Sequence, residues 1–250
     1  MRAQELNIDV LSNNMANVNT TGYKRGRAEF ADLFYDARMR PGAPSADGTA
    51  LPTGLEVGQG VRSVATYKDF NTGELRETGN SLDMALEGRG FFMVTQPDGE
   101  IAYSRSGTFK TNAEGQLVNT DGYAMSPEIS IPADATSISI SETGQVSVTI
   151  AGDSTQVEVG QIQLANFPNE AGLSSVGRNL YVETPASGTA VQTNPGEEGA
   201  GRVMQGFLES SNVSVVSEMI DLISAQRAYE INSKVISAAD EMLRNVSKLG

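Results

Sequence analysis

The sequence predicts an α+β chain: helices at the two ends forming a coiled-coil-like domain, with a mainly antiparallel β domain inserted between them. Three observations predict it. Residues 1–21 and 207–249 hold no glycine or proline, whereas all 9 prolines fall between Pro41 and Pro195 and every glycine but Gly250 between Gly22 and Gly206. Those two residues interrupt helices. Between Val61 and Ile150 the polar–apolar period is two, as in Ser137-Ile138-Ser139-Ile140 and Val146-Ser147-Val148-Thr149-Ile150, which suits strands. Towards the C-terminus, Ala225, Ala228, Asn232, Val235, Ala239, Met242, Val246 and Leu249 alternate spacings of three and four, a heptad seam.

Taken in order, Ile8, Leu11, Met15 and Val18 recur at helical spacing, one face of a first helix. Asn19-Thr20-Thr21-Gly22 ends it. Phe30, Leu33 and Phe34 share one side of a second possible helix over residues 28–40. The run Pro41-Gly42-Ala43-Pro44-Ser45-Ala46-Asp47-Gly48 is loop composition. Turn pairs then punctuate the strands at Asn71-Thr72-Gly73, Pro97-Asp98-Gly99, Glu114-Gly115, Asp121-Gly122 and Thr143-Gly144. In the last segment Leu222, Tyr229, Ile236 and Leu243 flank the seam at intervals of seven. A helix of roughly 35 residues would reach about 50 Å at 1.5 Å per residue. Asn212 or Ser214 is its N-cap candidate. The resulting division is 1–40 for the first helix and the segment after it, 41–60 for a loop with possible assembly contacts, 61–205 for the β domain and 206–250 for the long helix.

Composition excludes several functions. With 18 basic against 31 acidic residues the formal charge is −13, the wrong sign for general nucleic-acid binding. Nine acidic residues but only Arg178 among the bases lie between Glu128 and Glu198, so that stretch presents an acidic surface. Cysteine and histidine are absent, which removes most zinc, copper and haem ligation and serine–histidine catalysis. No cofactor or metal is expected. No stretch is apolar enough to span a bilayer, and Met1-Arg2-Ala3-Gln4-Glu5-Leu6-Asn7 lacks a signal-peptide core. The chain therefore reads as cytoplasmic, or as exported without a cleaved signal.

Candidate chemistry is sparse. Asp98 with Glu100, and Glu197 with Glu198, are carboxylate pairs in turn composition, and they read as solvated loop charges rather than a glycosidase pair. Gly88-Arg89-Gly90-Phe91-Phe92 lacks the third glycine and the following helix of a dinucleotide loop. Its glycines instead permit a tight turn that sends Phe91 or Phe92 into the core. Lys24, Arg25 and Arg27 either meet acidic neighbours or form a solvated surface. The C-terminal seam is longer than residues 1–21 can cover, which points to packing against further copies of the chain, with Asn232 fixing register.

The segment Ser12-Asn13-Asn14-Met15-Ala16-Asn17-Val18-Asn19-Thr20-Thr21-Gly22-Tyr23-Lys24 resembles the N-terminal signature of the bacterial flagellar rod and hook axial family. Leu86-Glu87-Gly88-Arg89-Gly90-Phe91-Phe92, continuing through Tyr103-Ser104-Arg105-Ser106-Gly107-Thr108-Phe109 to Asp121-Gly122-Tyr123, resembles its β domain. Gly206-Phe207-Leu208-Glu209-Ser210-Ser211-Asn212-Val213, with Ala225-Gln226-Arg227-Ala228-Tyr229-Glu230 and Ser233-Lys234-Val235-Ile236, resembles its C-terminal helix block. Length and wording are most similar to the distal-rod type, notably Lys24-Arg25-Gly26-Arg27-Ala28-Glu29-Phe30-Ala31-Asp32-Leu33 and Gln163-Leu164-Ala165-Asn166-Phe167.

The resemblance implies a structural subunit, not an enzyme, that self-assembles into a hollow helical tube carrying motor torque to the hook. Terminal helices would form the inner domain and β domains would face outward. It implies a basal-body location from periplasm to outer membrane, and export by the flagellar type III apparatus. Partners would be other rod proteins, the hook protein and the surrounding rings, with no nucleic acid and no membrane insertion. Subunit packing would fall on Ile8, Leu11, Met15, Val18, Leu222, Ala225, Ala228, Tyr229, Asn232, Val235, Ile236, Ala239, Met242, Leu243 and Val246. The family's motif positions are Asn13, Asn14, Asn17, Asn19, Thr20, Gly22, Tyr23, Lys24, Gly88, Gly90, Phe91 and Phe92. A proximal-rod or hook-family subunit is the near alternative, and a periplasmic carbohydrate-active enzyme the distant one. Family members usually carry about ten more residues, nearly three helical turns, between Met-Arg-Ala and the stretch matching Gln4-Glu5-Leu6-Asn7. Here Ala3 meets Gln4 directly, which implies a shortened first helix.

Overall fold

The structure, a computed structural model, describes residues 1–39, 53–150 and 156–249. Two helices bracket a mostly β chain, and the chain divides into two compact units. Met1–Asn13, Gly26–Tyr67 and Val216–Gly250 make one unit, and Asn14–Arg25 with Lys68–Val215 make the other.

In the first unit, helix α1 covers Arg2–Ala16. It stops earlier than its apolar spacing suggests, so Val18 lies in the turn beyond it, half-buried. Strands β1 (Gly26–Asp32), β2 (Tyr35–Met39), β3 (Leu55–Gly58) and β4 (Val61–Lys68) form two ribbons, β1 with β4 and β2 with β3. The helix expected over residues 28–40 is therefore absent from the described residues. Phe30, Leu33 and Phe34 have helical spacing, but three residues make a weak stripe, and aromatic side chains suit strands equally well. Partner strands distant in sequence satisfy the backbone instead, with Tyr35 opposite Gly58 and Asp36 opposite Val57. β3 also lies inside the stretch read as loop, while the Pro41–Gly48 run lies outside the described residues. Helix α2 runs for 35 residues, Val215–Leu249, directly after the N-cap candidate Ser214. The Tyr229 hydroxyl donates to Glu5 Oε1 at 3.5 Å.

The second unit is the β body. It comprises β5 (Leu75–Glu77), β6 (Met84–Glu87), β7 (Phe91–Thr95), β8 (Ile101–Ser104), β9 (Phe109–Thr111), β10 (Leu117–Asn119) and β11 (Ala124–Met125). A three-stranded meander follows: β12 (Ala135–Ile140), β13 (Gln145–Ile150) and β14 (Gln156–Gln161). The last six are β15 (Leu164–Asn166), β16 (Ser174–Gly177), β17 (Leu180–Val182), β18 (Val191–Thr193), β19 (Arg202–Gln205) and β20 (Phe207–Glu209).

The 9-stranded sheet runs β16-β17-β8-β7-β11-β10-β9, with β15 pairing β7 and β18. Its centre is β7, which pairs β8 along one edge and both β11 and β15 along the other. Every strand pair with an assigned register is antiparallel, as expected. Four of the sequence turn signals connect consecutive strands: β7 to β8, β9 to β10, β10 to β11 and β12 to β13. In each case the two strands pair, whereas Asn71-Thr72-Gly73 joins β4 to β5, which lie in separate sheets.

Because β7 is buried on both faces, Phe91-Phe92-Met93-Val94 reads as a continuous apolar run rather than an alternation. Successive side chains still point to opposite faces. Phe92 and Val94 enter the main core with Met84, Leu86, Phe109 and Ile162. Phe91 and Met93 enter an aromatic cluster with Phe70, Tyr103, Phe167 and Tyr181. Its rings meet edge to face, Phe70 to Phe91 at 5.2 Å and Tyr103 to Phe167 at 4.8 Å. The turn that introduces this strand depends on Gly88 and Gly90, at φ of 112° and 124°, a region side chains rarely adopt.

Candidate functional site

Two features depart from ordinary burial: a buried charged junction in the β body and the exposed apolar surface of the long helix in the other unit. The junction begins with the turn after α1. Thr20 Oγ1 donates to Asn17 Oδ1 at 3.3 Å, and the buried Tyr23 hydroxyl donates to Asn14 Oδ1 at 3.2 Å. Gly22, at φ 70°, packs so closely that a Cβ there would lie 2.6 Å from Ser106 N and 2.7 Å from Arg105 C. Its N–H donates to the Glu209 carbonyl at 2.8 Å, and Asn179 Nδ2 donates to the Thr21 carbonyl at 3.0 Å. The turn is thereby fixed against three separate parts of the body.

Lys24 then projects inward. Its Nζ lies 2.6 Å from Glu209 Oε1 and donates to the Asn71 carbonyl at 2.8 Å. The same carboxylate oxygen accepts from the Gly73 N–H at 2.8 Å. Arg105 Nη1 lies 3.7 Å from Glu209 Oε2, and its guanidinium carbon sits 5.3 Å from the Phe91 ring centre. All three charged side chains are at most 1% exposed. One carboxylate thus serves two cations. Burial pushes the Lys24 ammonium below its usual range, opposed by the Glu209 charge. Burial likewise lowers the Arg105 guanidinium, again opposed by Glu209.

Asn212 closes the junction from the C-terminal side. Its Oδ1 accepts from the Arg25 N–H at 2.7 Å, and its Nδ2 donates to the carbonyls of Asp69 at 2.8 Å and Asn71 at 3.0 Å. That side chain stitches loops together, which leaves the position before α2 to Ser214.

Of the basic cluster, Lys24 is buried and meets an acidic neighbour, and Arg27 is exposed. Among the motif positions, Asn14, Asn17, Thr20, Gly22, Tyr23 and Lys24 form the turn and junction. Gly88, Gly90, Phe91 and Phe92 build the central strand, and Asn13 and Asn19 are exposed. Sequence reasoning missed Glu209 and Arg105. Both sit in blocks that carry the resemblance, but 185 residues separate Glu209 from Lys24, and no local pattern reports such a pairing. The carboxylates Asp98, Glu100, Glu197 and Glu198 are exposed.

The second feature is α2. Ala225 is buried, and Leu222, Ala228 and Tyr229 are half-buried. From Asn232 onward the seam is open: Val235 is 61% exposed, Met242 64% and Leu243 68%. Val246 lies outside the residues whose side chains are described. Val216, Ile220, Ile223 and Ile231 are also exposed, and they lie away from the expected seam. At about 100° per residue, Ile223 sits on nearly the opposite side from Ala225. A helix apolar over so much of its circumference belongs in an interior. Among the described residues, no helix is long and apolar enough to cross a membrane.

Three family models match this chain. "Flagella basal body rod protein" covers residues 1–24, "Flagellar hook protein FlgE/F/G D1 domain" covers 85–148, and "Flagellar basal body rod FlgEFG protein C-terminal" covers 204–249. Lys24, Arg105 and Glu209 come one from each. The flagellar basal-body rod protein FlgG of Caulobacter vibrioides is 51% identical over 100% of this chain and 95% of its own length. That of Agrobacterium fabrum is 49% identical over 99% and 95%. The rod protein FlgF of Caulobacter vibrioides is 32% identical over 97% of this chain and 91% of its own.

Proposed function

The chain belongs to the flagellar basal-body rod family, and on that premise we propose that copies of it pack into a hollow helical tube that passes motor torque to the hook. It is a structural subunit of the distal rod type, not an enzyme. Within one organism the FlgG relative is far more similar than FlgF, 51% against 32% identity, which favours the distal type over the near alternative.

The observation that carries the self-packing reading is the uncovered apolar surface of α2. Exposed Ile, Val, Leu and Met side chains spread over about eight turns of helix are costly to leave in water, each worth about 1.5–3 kcal/mol on full burial. Further copies of the same helix, with α1, are the cover proposed, as a coiled-coil-like inner domain, and the acidic β body faces outward. Packing falls on Ile8, Leu11, Met15 and the seam from Leu222 to Val246. Val18 joins them from the turn. The remaining partners are other rod proteins, the hook protein and the encircling rings. The chain reaches a site between periplasm and outer membrane through the flagellar type III route, without a cleaved signal.

The test compares the full chain with Val235→Glu by sedimentation and electron microscopy over rising concentration. The native chain should form tubes or their fragments, while the variant keeps the same thermal melt and stays dispersed. A native chain that remains monomeric, or a variant that assembles equally well, refutes the reading.

A further inference from the structure

A cleft of about 190 Å³ opens on the β body beside the turn after α1, lined by Asn17, Tyr23, Lys68, Arg178, Asn179 and Tyr181 among others. No aspartate or glutamate lines it, on a chain whose formal charge is −13. Lys68 lies over the Tyr23 ring, its Nζ 4.2 Å from the ring centre, and donates to the Lys24 carbonyl at 3.1 Å. An ammonium has three donors, and among the described residues no carboxylate pairs with this one. Burial alone lowers its affinity for a proton, with no opposing charge.

The second cation is Arg178, the one basic residue between Glu128 and Glu198. It sits with Asn179 at the tip of the β16–β17 turn, both in the left-handed region at φ 54° and 58°. The turn holds it at the cleft. Its Nη1 donates to the Tyr123 hydroxyl at 2.9 Å, and its Nε lies 3.9 Å from Asp121 Oδ1. A guanidinium has five donors, so others remain for a second acceptor.

We propose that this cleft receives an aspartate or glutamate side chain from the acid-rich 128–198 stretch of a second copy of the chain. Size and charge both select that occupant. The cleft is smaller than small-molecule sites, which run to about 300–1,000 Å³, and suits a single side chain. A half-buried cation without a counter-charge favours an anion. The stretch that supplies nine acids, with Glu128, Asp134, Glu142 and Glu158 exposed, is this chain's own. The contact would join body to body, independently of the α2 seam, and it rests on the self-packing reading above.

The experiment places a photoreactive benzoyl-phenylalanine at the exposed Ser175, on the rim of the cleft, in the full chain. Isotopically light and heavy copies are mixed, taken to the assembly concentration and irradiated, so that mass spectrometry isolates links between copies. Links to acid-bearing peptides of residues 128–198 are expected, lost in Lys68→Met and retained in Lys68→Arg. Lys68→Met should also raise the minimum assembly concentration about fivefold, the scale of one partly screened ion pair. Assembly without such links, links unaffected by Lys68→Met, or links to another protein overturn the proposal while leaving self-packing intact. A chain that sediments as a monomer at every concentration overturns both.

Discussion

Replacing Glu209 by glutamine should destabilise the chain more than replacing Lys24 by methionine, although the two side chains form one ion pair. The asymmetry follows from the geometry. Glu209 faces Lys24 at 2.6 Å and Arg105 at 3.7 Å, and all three side chains are essentially sealed from water. Glutamine keeps an acceptor for the Gly73 N–H but leaves two buried cations with no anion. Removing one member of a buried ionic group so that charge is left uncompensated costs about 3–5 kcal/mol. Lys24→Met leaves Arg105 with Glu209, a balanced pair, and the Asn71 carbonyl still accepts from Asn212, so the loss is that of the ammonium's own hydrogen bonds, about 1.5–3 kcal/mol. For a chain of this size each kcal/mol moves Tm by about 2–4 °C. Glu209→Gln should therefore melt on the order of 10 °C lower, as followed by circular dichroism and checked by urea titration at neutral pH. The double variant should be milder than the sum of the singles by at least about 1 kcal/mol. If Lys24→Met proves the more damaging, or Glu209→Gln melts with the native chain, the shared-carboxylate account is wrong.

Gly22→Ala should cost about 2 kcal/mol or more in urea titration, since the left-handed backbone alone is worth about 1–3 kcal/mol and the new methyl meets backbone at 2.6 Å. Asn212→Ala should cost about 2–4 kcal/mol through three lost hydrogen bonds, and hydrogen exchange should show the Arg25 amide losing protection with little change in β13. Burial raises the Tyr181 phenol above its usual 10.0, chiefly by desolvation. The folded chain holds that proton where the unfolded chain has lost it, so this contribution is intact below pH 10 and declines as pH rises above it. Tyr181→Phe should accordingly flatten the alkaline fall in stability, measured by urea titration across that range; an unchanged slope counts against a buried phenol.

What the sequence made legible follows from range. The heptad spacing around Ala225 and Val235 is local and marked α2 to within a few residues. Asp-, Glu- and Thr-Gly pairs are local too, and four of them connect paired strands as expected. The Gly88–Phe92 run gave its turn correctly but undercounted its burial, because one strand covered on both faces buries Phe91 and Phe92 alike. Residues 26–39 misled for the opposite reason. Phe30, Leu33 and Phe34 imitate a helical stripe, and the choice of strand rests on pairing with residues 55–68, which no short window contains. Lys24 was ambiguous between a partnered and a solvated cation because its partner, Glu209, lies at the other end of the chain.

At two places the placement of charge and apolar surface is inverted relative to an ordinary monomeric domain. Such domains keep large side chains inside and charges in water. Here Lys24, Arg105 and Glu209 are sealed within the β body, while Val235, Met242 and Leu243 stand in solvent. The two departures suit different tasks. Apolar contact is strong but non-directional, so a seam of Val, Ile and Leu can hold neighbouring copies together over a large area and fits the proposed tube. It does not by itself fix an angle. A buried ionic group is a poor source of stability, yet its cost of misplacement is steep, because any slip strands a charge without its partner. Lys24 belongs to the turn that leaves α1, and Glu209 to the strand just before α2. Both segments are thereby fixed to one point of the β body, with Gly22 and Asn212 beside it. In a subunit proposed to carry twist, that ionic group holds the two segments of the β body against slipping past each other.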